Sequence, residues 1–97
     1  MIDKDSVFRR RSDVRYRIVG PEAVVVRQSV PEVLVLNGVG ARVVERIDGT
    51  LTVDTLVSAL AGEYDVERET LERDVVAFLG ELAEGGVIER VETDHAG

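Results

Sequence analysis

Residues Glu32 to Gly49, EVLVLNGVGARVVERIDG, run from a short apolar strand through an Asn straight into a helix that a Gly closes. No other stretch constrains the fold as much. A strand that hands over to a helix without a linker has to share a core with it. A chain of 97 residues holds material for one such core and not two, so every other element must join it, and a multidomain enzyme is excluded.

Upstream, Val14 to Val19 alternates, with Arg15 and Arg17 on one side and Tyr16 and Ile18 on the other, as a half-buried strand does. Gly20-Pro21-Glu22 turns the chain into a second strand, Ala23 to Arg27. Gln28-Ser29-Val30-Pro31 leads to a third, Glu32 to Leu36. Three short strands on tight loops predict an antiparallel meander. The second and third strands are apolar on both faces, and helices in so small a protein cover only one. The other face is left to a dimer mate or to partial exposure.

Downstream, Asn37 is placed to cap a helix that runs to about Asp48, with Ala41, Val43, Val44 and Ile47 inward and Gly49 as its stop. Thr52 caps a second helix, with Asp54 in its first turn and Val53, Leu56, Val57 and Leu60 inward. Asp65 is placed to cap a third, whose stripe Leu71, Val75, Phe78, Leu79 and Leu82 holds helical spacing to Gly85-Gly86. Val87 to Val91 suits a short C-terminal strand. The expected fold is α+β and winged-helix-like, a three-stranded antiparallel sheet followed by three helices. Residues 1–13 read as a flexible N-terminal arm, 14–91 as the domain, and 92–97 as a disordered tail.

The net charge of −7 is unevenly spread. Residues 1–36 carry seven basic against five acidic groups; from residue 37 onward there are five against fourteen. An acidic helical half repels a phosphate backbone, so nucleic acid is a poor partner for it. Without Cys, neither a disulfide nor a thiolate metal site forms, which fits a cytoplasmic setting. No stretch is apolar and long enough to suggest a membrane span.

Several constellations fail on their own chemistry. Gly38-Val39-Gly40-Ala41-Arg42-Val43 follows a strand and opens a helix, but Val43 stands where a dinucleotide loop needs a third small residue, and a second helix follows instead of a parallel strand. His95 is the only His and sits in the polar tail, so no nucleophile–base pair is built on it. The carboxylates of the third helix (Glu67, Glu69, Glu72, Asp74, Glu81, Glu84) are spaced like a solvated face. No catalytic residue, metal site or cofactor is expected. Arg9-Arg10-Arg11 reads as a solvated arm, or as a patch for acidic groups of a peptide, a partner enzyme or a second copy.

The third strand and third helix remain. An edge strand offers unpaired N–H and C=O groups onto which an extended peptide adds, with alternate side chains entering a flanking groove. On the strand side the candidates are Glu32 with Val33 and Val35, or Leu34 and Leu36. On the helix side they are Arg68, Leu71, Glu72, Val75, Val76 and Leu79. Taken singly, each apolar member fits a core better than a site.

The order and spacing of Leu36-Asn37, Val39-Gly40-Ala41, Ile47-Asp48-Gly49, Thr52 to Val57, Tyr64-Asp65-Val66 and Phe78 to Ala83 resemble the PqqD-like family, the RiPP recognition elements. The resemblance covers about Val14 to Ile88. It implies a non-catalytic chaperone that holds the leader of a ribosomal precursor peptide beside the third strand and third helix. It also implies presentation of that peptide to a maturation enzyme, often a radical SAM protein. Val33 and Val35 stand where better-known members carry an aromatic, a departure that points away from the pyrroloquinoline quinone pathway itself. Two other readings stay open: a winged-helix DNA-binding regulator, and a dimerisation or scaffold domain forming a homodimer.

Overall fold

In the computed structural model, which describes residues 2–91, the alternating segment forms strand β2, Val14–Val19, with Arg15 and Arg17 exposed on one face. Gly20, at φ +61, and Pro21 make the two-residue loop into β3, Glu22–Arg27. Gly at the first position of so short a hairpin takes the positive φ that its twist demands. β4, Glu32–Asn37, pairs with β3, and the antiparallel order is β2-β3-β4. Tyr16 lies opposite Val25, and Val25 opposite Leu34. This is the expected meander.

The face carrying Val14, Ala23 and Val25 is buried under the helices. The reverse face is bare: Val19, Val26, Val33 and Val35 are all exposed.

Helix α1, Gly38–Arg46, leaves β4 without a linker. Asn37 occupies the N-cap position, still extended (φ −134, ψ 173) and paired in the sheet opposite Glu22, and its side chain makes no capping bond. The turn is made instead by Gly38 at φ +57. The helix also stops earlier than the sequence suggests, at Arg46. Ile47 is already extended (φ −67, ψ 121), and Arg10 Nη1 donates to the carbonyl oxygens of Val44 at 2.7 Å and Ile47 at 2.5 Å, satisfying the end of the helix with a cation.

Helix α2, Val53–Ala61, is capped as expected, the Thr52 hydroxyl accepting from the Thr55 N–H at 3.1 Å. Val53, Leu56, Val57 and Leu60 are buried. Helix α3, Arg68–Glu84, buries Leu71, Val75, Leu79 and Leu82. Its N-cap is Glu67, again without a side-chain bond, and not Asp65. Arg68, the first residue of the helix, reaches across to Asp54 Oδ1 at 2.8 Å and Ser58 Oγ at 3.0 Å on α2.

The N-terminal segment departs most from expectation. Phe8–Arg10 is a strand, β1, paired antiparallel with β5, Ile88–Arg90, in a separate two-stranded sheet. Val7 and Phe8 are buried, and the carbonyl oxygens of Ser6 and Lys4 accept the N–H groups of Val53 and Asp54 at the head of α2. The arginine run is likewise engaged. Arg9 and Arg11 reach Glu89 at 2.7 and 3.4 Å, and the Arg10 guanidinium lies 4.6 Å from the Tyr16 ring centroid. Residues 7–11 are therefore part of the fold and not a solvated arm. The expected tail, residues 92–97 with His95, lies outside the described residues. Among the described residues no helix is long and apolar enough to cross a membrane.

Candidate functional site

β4 has one hydrogen-bonded neighbour, β3; its other side is a sheet edge with no strand paired to it among the described residues. In an antiparallel pair every second residue turns its N–H and C=O away from its partner, so β4 offers a row of open donors and acceptors. Six residues give an edge about 20 Å long.

Strand periodicity sorts the side chains. Val33 and Val35, 62% and 59% exposed, point to the bare face, while Glu32, Leu34 and Leu36 turn toward α3. There they form one wall of a groove of about 250 Å³. Phe78, Glu81 and Leu82 of α3 form the facing wall, and Gly85 and Val87 close the end. Phe78, Glu81, Leu82 and Gly85 fall at i, i+3, i+4 and i+7, one stripe of the helix.

The far end is braced by Arg27, which donates from Nη1 to the Gly85 carbonyl at 2.8 Å and pairs with Glu32 at 3.6 Å. Phe78 is positioned by α1: a Cβ added at Gly40 would lie 2.9 Å from its ring, so the absence of a side chain there is what lets the ring stand in the groove wall.

Of the sequence candidates, the structure brings Glu32, Leu34 and Leu36 together at the groove. Val33 and Val35 share the strand but face away. On the helix, Leu71, Val75 and Leu79 are core residues, and Arg68 is tied to α2. Glu72 and Val76 line a different depression, with Ile2 and Lys4. The groove uses the C-terminal half of α3, and Phe78, Glu81, Leu82, Gly85 and Val87 are the residues that sequence reading did not assign to it. The i, i+4 pair Phe78 and Leu82 was the available signal. Open backbone groups beside an apolar furrow are the arrangement onto which an extended chain can add as a strand.

The family model described as "Coenzyme PQQ synthesis protein D (PqqD)" matches residues 22–88. A PqqA binding protein of Gluconobacter oxydans (strain 621H) is 31% identical over 61 residues, covering 63% of this chain and 64% of that protein, so the match spans just under two thirds of the relative. A structure of TbiB1 in complex with the TbiA(beta) leader peptide aligns with TM-score 0.78 at 26% identity, over 88% of this chain and 99% of that one. The solution structure of the PqqD part of Methylobacterium extorquens PqqCD, a stand-alone RiPP recognition element, aligns with TM-score 0.77 at 25% identity, over 93% and 96%.

Proposed function

We propose that this chain, which belongs to the PqqD family, is a non-catalytic recognition element that captures the leader of a ribosomally made precursor peptide. The leader adds as a strand to β4, and its alternate side chains enter the groove between β4 and α3. The observation that carries this reading is the open β4 edge lying directly beside an apolar furrow. Leader-peptide complexes of similarly folded proteins support it.

The energetics suit a transient carrier. Each net strand hydrogen bond contributes about 0.5–1.5 kcal/mol, and burying one large apolar side chain about 1.5–3 kcal/mol. Four such bonds and two side chains give roughly 5–12 kcal/mol before association costs of at least about 4 kcal/mol. Micromolar binding, about −8 kcal/mol, lies at the upper end of that range. Catalysis then belongs to a partner maturase, radical SAM or other, with both acting in the cytoplasm. The binding unit comprises β1 as well as residues 14–91.

Titrating the 15N-labelled chain with the leader of any small precursor frame found next to its gene tests the reading. Amide shifts are expected at Glu32 to Asn37 and from Phe78 to Val87; shifts confined to α2 or the β1–β5 sheet would refute it. The exposed Val33 and Val35 favour a second, compatible reading, a homodimer or scaffold contact through the bare sheet face. Sedimentation at the monomer mass at every concentration would dismiss that one.

A further inference from the structure

The groove walls are apolar, but the charged groups along them are not balanced. Glu32 is answered by Arg27 at 3.6 Å, and Arg27 is itself spent on the Gly85 carbonyl. Glu81 is different. It is exposed on the α3 wall, and among the described residues no arginine or lysine pairs with its carboxylate. Asp74 and Glu84 on the same helix are exposed as well, while the cations nearby are placed elsewhere: Arg68 is tied to α2, Arg73 lines the other depression with Glu72, and Arg27 is engaged at the closed end. A peptide bound here meets an apolar floor beside a free carboxylate.

We infer that the groove selects leader segments in which a bulky apolar residue is followed or preceded, two positions away, by Lys or Arg. The inference rests on the strand-addition reading above and adds the ligand's chemistry to it. A strand turns residues i and i+2 to the same side, about 7 Å apart. With the apolar side chain between Leu36, Phe78 and Leu82, the neighbour on that face passes along the α3 wall, where a long basic side chain lays its stem on apolar surface and brings its head to Glu81. An acidic side chain there meets Glu81 with like charge and finds no free cation, because Arg27 is already engaged at the closed end. An exposed or half-exposed pair of this kind changes affinity by up to about fivefold. A basic residue is therefore favoured over an uncharged one by about that factor, and an acidic one is disfavoured by a similar factor.

The test is selection of a random dodecapeptide library, displayed on messenger RNA, against the full chain and its Glu81→Gln and Glu81→Lys variants. Circular dichroism serves as a check that each variant is folded. The expected wild-type enrichment is an apolar residue with Lys or Arg two positions away. The basic preference is lost with Glu81→Gln and turns acidic with Glu81→Lys, while the apolar anchor persists in all three. If alternating apolar peptides are enriched with Lys and Glu equally frequent at that position, or if the variants leave the charge preference unchanged, the inference is overturned and strand addition stands. If no peptide is enriched, both fall.

Discussion

Gly40→Ala joins the packing of the fold to the shape of the groove and yields a sign that can be checked. Gly40 is buried in the first turn of α1, and a Cβ there would lie 2.9, 3.3 and 3.4 Å from three ring carbons of Phe78. Carbon atoms settle at about 3.5–4.0 Å, so the ring has to retreat by roughly 0.6 Å or more, into the groove or against its other neighbours. Overpacking of this kind costs about 1–3 kcal/mol. Removing a helical Gly opposes it with a gain of about 0.5–1 kcal/mol. The net expectation is a loss of about 0–2.5 kcal/mol, which at about 4–8 °C per kcal/mol lowers Tm by up to ~20 °C. In a Phe78→Ala background the clash is gone and only the helical gain remains, so the same substitution becomes stabilising. Urea and thermal unfolding of the four-member cycle give the coupling directly. If Gly40→Ala stabilises both backgrounds equally, Phe78 does not stand where the structure puts it, and the groove wall is misdrawn.

Two further outcomes concern the β1–β5 sheet and the loop between α1 and α2. Phe8→Ala removes a buried ring at the β1–β5 sheet and is expected to cost about 3–5 kcal/mol, read as a fall in urea midpoint; a change within error would return residues 1–13 to the status of an arm. The Asp48 carboxyl is held below its usual 3.8 first by the Thr50 N–H, then by the Thr50 hydroxyl and the Leu51 N–H. A depressed carboxyl stabilises above its unfolded value, and that contribution is lost as pH falls through the folded one. The urea-midpoint gap between wild type and Asp48→Asn should therefore narrow as pH drops below about 4, and a gap constant with pH would refute the assignment.

The sheet and the helical stripes were legible because their signals are local. Arg15 and Arg17 against Tyr16 and Ile18, the Thr52 cap, and Leu71, Val75, Leu79 and Leu82 each declare themselves within a few residues. β1 was not legible, since Val7 and Phe8 are two apolar residues among charges whose partner strand lies about 80 positions away. No periodicity reports that pairing. Asn37 and Asp65 have the side chains of good caps, but Asn37 holds the N-cap position of α1 without a side-chain bond, Gly38 making the turn out of β4, and α3 is capped at Glu67, two residues past Asp65.

The site divides along the same line. The strand half is readable from alternation. The helix half depends on where along its length α3 crosses the sheet, and Phe78 and Leu82 look in sequence like Leu71 and Val75, further members of one apolar stripe. Only the close approach of Phe78 to Gly40 and the brace from Arg27 to the Gly85 carbonyl show that the C-terminal half faces β4.

Amide hydrogen exchange along β4, with and without the cognate leader peptide, reaches the central claim most directly. In the free chain, the amides of β4 that point away from β3 should exchange fast while their alternate neighbours, bonded to β3, are slow. Saturating leader should slow the fast set and leave the slow set little changed. A uniformly slow β4 in the free chain, or a fast set that stays fast at saturation, would contradict strand addition at this edge.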